Sequence, residues 1–253
     1  HNQEHVIKRL EALEDDAAKK LISQVAMIDW KVVESINDKS DSSSEDKKIE
    51  PLEAVEIKDI KANKEKYTAK GVEAIKNGKV AAVLLAGGQG TRLGLDKPKG
   101  TLNVGVNKDL FLFGQLIRNL LDVVDMTGAY VPLYIMTSDK NNEDTVAFFE
   151  EHNYFGYDKD YVKFFIQSMV PSVDYNGKLY MESTDSLAMS PNGNGGWFLS
   201  LMAAGLDKDM EEKGVEYVNV FAVDNILQRI ADPAFIGATM LAGAECGSKV
   251  VRK

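Results

Sequence analysis

Residues 82–100, AVLLAGGQGTRLGLDKPKG, run an apolar stretch into Gly87, Gly88, Gly90 and Gly94 and set Arg92, Lys97 and Lys99 close by. Without side chains, glycines let the main chain turn sharply and approach a ligand, offering N–H groups to anionic oxygens. Arg92 can grip oxygens through two donors at once, while Lys99 is a mobile point charge. The chemistry on offer is capture of a small phosphate-bearing molecule. Two familiar phosphate loops fit poorly. The Walker pattern is missing, because no Gly-Lys-Ser/Thr occurs. Gly88, Gly90 and Gly94 give G-x-G-x-x-x-G, a partial dinucleotide fingerprint, but that fold needs a helix to start inside the loop. Pro98, Gly100 and Gly105 oppose a helix over 95–106, which weakens a NAD reading.

The cradle needs a scaffold. VAAVLLA (80–86) is an apolar run of strand length, of the kind buried on both faces of a parallel sheet. VPLYIMTS (131–138), YVKFFIQ (161–167) and VEYVNVFAV (215–223) read as further strands, and KLYME (178–182) as part of a hairpin turned at Asn176-Gly177. Helices are expected over 68–77 with Gly78 as the stop, over 141–152, over 196–213 burying Trp197, Leu201, Ala204 and Met210, and from Asp232-Pro233 onward. Strands alternating with helices predict right-handed crossovers and a doubly wound α/β sheet, with the ligand at the carboxyl ends of its strands. Upstream, Val6, Leu10, Leu13, Ala17, Leu21 and Val25 recur at helical spacing and predict one long amphipathic helix. NDKSDSSSEDKK (37–48) reads as a solvated connector. GSKVVRK (247–253) reads as the middle of another strand, so the chain is expected to be part of a longer protein.

The totals narrow the chemistry. A net charge of −9 argues against a general nucleic-acid binder, which needs a basic field, yet leaves room for a local cationic pocket. No apolar run approaches the roughly 20 residues of a membrane span, and no secretory signal is visible. Cys246 is the only cysteine, which excludes a disulfide framework and fits a reducing, cytoplasmic setting; it is expected to be a small buried residue. His1, His5 and His152 lie outside every glycine-rich segment, so catalysis must rest on Lys, Arg, carboxylates and backbone N–H groups.

The motif G-G-x-G-T-R-L-G followed by P-K-G resembles the signature of the eukaryotic UDP-N-acetylglucosamine (UDP-N-acetylhexosamine) pyrophosphorylases. YIMTS (134–138), YFGY (154–157), FFIQSMVP (164–171), SPNGNGG (190–196), FAVDNIL (221–227) and ADPAFIG (231–237) are similar to family segments, in family order. The resemblance implies a Rossmann-like doubly wound mixed sheet of the nucleotide-diphospho-sugar transferase type. It also implies an N-terminal helical segment and linker over 1–74, a nucleotidyltransferase domain over 75–253, and a C-terminal part beyond Lys253.

The implied reaction joins UTP and N-acetylglucosamine 1-phosphate, releasing pyrophosphate, by in-line attack of a sugar-phosphate oxygen on the α-phosphorus. The same chemistry on N-acetylgalactosamine 1-phosphate or glucose 1-phosphate, and a non-catalytic UTP-binding module, stand as alternatives. Positioning and charge neutralisation do most of such work, and no covalent nucleophile is needed. By resemblance, Lys99 neutralises the α-phosphate and Arg92 holds the departing pyrophosphate. Leu85, Ala86, Gly87 and Gly88 bring main-chain groups to the uridine, Gln167 reads the uracil edge, Gly193 contacts the uracil, and Asn194 contacts the sugar part. Asn194 is also placed to cap the helix after it. Asp224 follows a buried strand and is expected to hold Mg²⁺ against phosphate oxygens, with Asn225 in support. Lys97 reads as a solvated lysine.

Overall fold

The computed structural model describes residues 1–35, 54–90, 94 and 96–251. The expected connector over 37–48 lies outside the described residues. In chain order the helices are α1 (Glu4–Leu10), α2 (Asp15–Ala26), α3 (Trp30–Ser35), α4 (Ile57–Ala62), α5 (Lys64–Lys76), α6 (Leu112–Thr127), α7 (Asn142–Glu151), α8 (Trp197–Ala203), α9 (Leu206–Glu212) and α10 (Pro233–Leu241). The strands are β1 (Val80–Leu85), β2 (Leu133–Thr137), β3 (Val162–Ile166), β4 (Met169–Pro171), β5 (Met189–Pro191) and β6 (Tyr217–Ala222). They form two compact units, His1–Glu53 with Met169–Asn192, and Ala54–Ser168 with Gly193–Lys253.

In the first unit, helices α1 to α3 bury Val6, Leu21, Ile28 and Val33 against Leu179 and Leu187. β4 and β5 pair antiparallel, and bridges Val173↔Leu179 and Met181↔Leu187 extend the meander. The expected hairpin turns at Gly177, whose φ is +74°. The Gln3 side-chain amide donates to the Gly177 carbonyl and accepts from the Leu179 N–H, as a strand neighbour would. The single long helix is corrected to two. Residues 11–14 leave the helix, Glu14 is extended (φ −75°, ψ 162°), and Asp15 and Asp16 open α2, where carboxylates favour a helix N-terminus. Apolar spacing runs through the break because both helices face the same cluster.

The second unit is built on a sheet of order β3-β2-β1-β6 in which every described pairing is parallel. β1 is buried on both faces. Val80, Ala82 and Leu84 meet the side covered by α5, α6, α7 and α10, while Ala81 and Val83 meet Leu201 of α8 and Met210 of α9. Strand order reverses between β1 and β6, which makes the carboxyl ends of those two strands the switch point where ligands bind in such sheets.

Several helices follow their sequence signals. α5 is followed by Gly78 at φ +71°, and the Asp232 carboxylate caps α10 through the Ala234 N–H at 3.1 Å. α6 was not anticipated, although Leu112, Phe113, Leu116, Ile117, Leu120 and Val123 line its buried face at helical spacing. The helix expected over 196–213 is two helices, because Gly205 takes φ +70° and ends the first; Ala204, expected inside, is exposed. The expected C-terminal strand is also corrected: 247–251 has no regular structure, and Val250 and Val251 are exposed with no neighbouring strand among the described residues. Cys246 is exposed rather than buried, since it lies past the end of α10 in a stretch without regular structure. Among the described residues, no helix is long and apolar enough to cross a membrane.

α9 is fastened to the sheet by charge. Asp209 accepts from Tyr134 Oη at 2.6 Å, Lys163 Nζ at 2.6 Å and Lys213 Nζ at 2.5 Å. Burial alone would raise its pKa, but the two ammonium groups and the phenol outweigh it and hold the carboxyl at about 2. Burial, with Asp209 beside it, pushes the Tyr134 phenol up. Because the folded pKa of Asp209 lies below the ordinary carboxylate value, its contribution is full above about pH 4 and disappears as pH falls through 2. The shift corresponds to about 2 kcal/mol. Replacing Asp209 by Asn should therefore remove about 2 kcal/mol at pH 7 and almost nothing near pH 2, read by urea unfolding at both values.

Candidate functional site

The loop after β1 turns back on itself. The Gly90 N–H donates to the Lys97 carbonyl at 3.2 Å, the Lys99 N–H meets the Gly88 carbonyl at 3.5 Å, and Gln89 bridges Pro98 antiparallel. Arg92 lies outside the described residues. Pro98 is buried, and Gly100 lies against the Phe113 ring so closely that any Cβ there would overlap it. These two anchors fix the main chain on both sides of Lys99. The Lys99 ammonium reaches across to the carboxylate of Asp224, just past the end of β6. Lys97 is exposed to solvent. A cation and an acid from two different strand ends thus meet at the switch point. The Asn225 side chain accepts from the Leu227 N–H at 3.3 Å.

The main chain of the loop is unevenly spent. Leu85 O accepts from Val223 N, while Ala86 donates to the Met136 carbonyl and its own carbonyl is held by Asn141. The N–H groups of Gly87, Gly88 and Gln89 have no partner among the described residues. A Cβ on Gly88 would meet only open space. Unpaired main-chain donors in a turn are the groups that can bind anions.

Gln167 lies directly against Gly87, and a Cβ on Gly87 would overlap the Gln167 amide. Gln167 is 5% exposed and its N–H continues the β2–β3 ladder through the Thr137 carbonyl at 2.9 Å. Its side-chain amide has no hydrogen-bond partner among the described residues. A nearly buried amide normally finds partners, and here its donor and acceptor are both open among the described residues.

Gly193 takes φ +74° and opens a short 3-10 turn over Asn194–Gly196, after which α8 begins. Asn194 does not cap that helix. The position before α8 is Gly196, which has no side chain, and Asn194 is exposed within the turn. Ser200, missed in the sequence, ties this turn to the Gln167 wall: its hydroxyl meets the Gly196 carbonyl at 2.9 Å and accepts from the Ser168 N–H at 2.8 Å. The structure thus brings together Gly87, Gly88, Gln167, Lys99 and Asp224, with the Gly193–Gly196 turn fastened next to Ser168.

For a divalent cation, Asp224 is the available ligand. Among the described residues no three His, Cys, Asp or Glu side chains cluster as a self-standing metal site. One exposed carboxylate fits a magnesium ion that arrives with phosphate oxygens and keeps its water.

The family model described as UTP--glucose-1-phosphate uridylyltransferase matches residues 19–253. UDP-N-acetylhexosamine pyrophosphorylase-like protein 1 of Mus musculus is 44% identical over 194 residues, covering 74% of this chain and 38% of that protein. UDP-N-acetylglucosamine pyrophosphorylase of Saccharomyces cerevisiae is 40% identical over 222 residues, covering 84% and 46%. Among solved structures, the uridine diphosphate N-acetylglucosamine pyrophosphorylase of Trypanosoma brucei, in complex with an inhibitor, superposes with a TM-score of 0.77 at 29% identity, over 96% of this chain and 53% of that one. The chain therefore spans about half the length of the relatives it matches or less. With a family match over most of its length, the chain belongs to the UTP--glucose-1-phosphate uridylyltransferase family.

Proposed function

We propose that this chain carries the uridine-nucleotide half of a uridylyltransferase site that makes UDP-N-acetylglucosamine and pyrophosphate from UTP and N-acetylglucosamine 1-phosphate. The observation that carries the reading is the Gln167 amide, unpaired among the described residues and pressed on Gly87. It offers one donor and one acceptor to a flat base edge, beside main-chain N–H groups and a lysine suited to phosphates. The names of the relatives, which specify UDP-N-acetylhexosamine or UDP-N-acetylglucosamine, support the choice of sugar.

In this reading the uracil packs against Gly87 and Gln167, and the Gly193 turn closes on it. The amides of Gly87, Gly88 and Gln89 and the Lys99 ammonium face the phosphates, with Arg92 on the departing pyrophosphate. Asn194 takes the sugar side. Lys99 exchanges its contact with Asp224 for a phosphate oxygen, so the carboxylate is released as the nucleotide arrives. Asp224 would then hold Mg²⁺, which supplies charge neutralisation at the phosphate oxygens. No side chain forms a bond to phosphorus; the residues position the reactants and neutralise charge.

The test combines calorimetry with a pyrophosphate assay. UTP should bind, and pyrophosphate should appear fastest with N-acetylglucosamine 1-phosphate among that compound, its galacto isomer and glucose 1-phosphate. UTP binding with no pyrophosphate from any sugar would reduce the chain to a nucleotide-binding module. Absence of UTP binding would refute the reading.

A further inference from the structure

We propose that Asn141 is a positioning residue that aims the free amides of the glycine loop, an inference that rests on the nucleotide reading above. Asn141 is 1% exposed. Its Nδ2 donates to the Ala86 carbonyl at 3.1 Å and the Gly88 carbonyl at 3.4 Å, and its Oδ1 accepts from the Ser138 N–H at 2.7 Å. Only this orientation of the amide satisfies all three contacts. Asn141 stands at the N-cap position of α7, where an asparagine ordinarily accepts from the first helical amides. Here it makes no such bond. The side chain is spent on the loop after β1 instead.

The consequence follows from peptide geometry. In a planar trans peptide the C=O and the next N–H point in opposite directions. Holding the Ala86 carbonyl turns the Gly87 N–H away from Asn141, and holding the Gly88 carbonyl does the same for the Gln89 N–H. These are among the amides left without partners. Glycine has no side chain to restrict its φ and ψ, so Gly87 and Gly88 cannot fix these two peptide planes themselves. One buried amide holds both carbonyls, two residues apart, with the Lys99 N–H at 3.5 Å as a second contact on that of Gly88, and presents the donors on the ligand side. Pre-set donors avoid an ordering cost at binding, and a loop that is competent for only a fraction of the time loses affinity by that fraction.

The test is a UTP titration of the wild-type chain and Asn141→Ala, followed by calorimetry and by amide NMR. Wild-type protein should show UTP-dependent shifts at Gly87 and Gln89. In Asn141→Ala the affinity should fall about tenfold, with the Gly87 and Gln89 amides broadened in the free protein and the Gly193 amide responding as in the wild type. A general loss of structure would instead perturb all of them and lower the melting temperature in step. Should alanine unfold the chain, Asn141→Thr, which keeps a hydroxyl accepted at helix N-caps, carries the same expectation. Affinity within twofold of wild type together with unchanged Gly87 and Gln89 shifts would overturn the proposal while leaving the nucleotide site standing. Absence of any UTP response in the wild type would overturn both.

Discussion

Replacing Lys99 by alanine should lower pyrophosphate release from UTP by about 10²- to 10³-fold, the usual loss when one preorganised charge or donor is removed from a transition state. UTP affinity should change far less, because the uracil contacts at Gln167 and Gly87 and the loop amides remain. The large effect is expected because the main chain at Lys99 is fixed by buried Pro98 and by Gly100 on Phe113, while the ammonium already spans to Asp224. The side chain is thus delivered to the switch point, and only its tip has to move. Arginine at this position should restore little, since a planar fork does not replace a compact point charge. Steady-state turnover with saturating UTP measures it, and near-normal turnover of Lys99→Ala would remove Lys99 from the catalytic role.

The largest effect on stability should come from Gly237→Ala. α5 and α10 cross with glycines facing each other's backbone: a Cβ on Gly237 would overlap the Tyr67 carbonyl oxygen, and one on Gly71 would overlap the Pro233 carbonyl oxygen. Neither obstacle is a flexible side chain, so the helices must separate. Inside a packed core this overpacking costs about 3 kcal/mol, a fall of roughly 6–12 °C in melting temperature for a chain of this size. Gly195→Ala, with open space around its Cβ and no positive φ, should change stability by less than about 0.5 kcal/mol. Thermal unfolding of the two variants side by side checks both.

The parts of this protein that were legible in its sequence are those with a local cause. The apolar run of β1, the glycines after it and the Asp-Pro opening of α10 each carry their own signal, and the structure places them accordingly. The broken helices were hidden because amphipathic spacing survives a break when both pieces face one core, as Val6 and Leu21 do. α6 had a clear pattern in Leu112, Leu116, Leu120 and Val123, overshadowed by the glycines and proline just before it. Long-range partners leave no local mark. Asn141 holds carbonyls 55 and 53 residues away, and the segment Met169–Asn192 packs with helices near the N-terminus. Ser200 was missed for the same reason: a serine inside a helix gives no sign that it fastens a loop to a strand end. Within the candidate site, the sequence named Gly87 and Gln167 separately, and only the fold shows that one lies on the other.

The central claim is that a uridine nucleotide occupies the carboxyl ends of β1 and β6. A crystal structure with UTP bound tests it most directly. The account predicts the uracil edge on the Gln167 amide, the phosphates on the Gly87–Gln89 amides, and the Lys99 ammonium moved from Asp224 to a phosphate oxygen. UTP bound at another place, with Gln167 untouched and Lys99 still on Asp224, would contradict it.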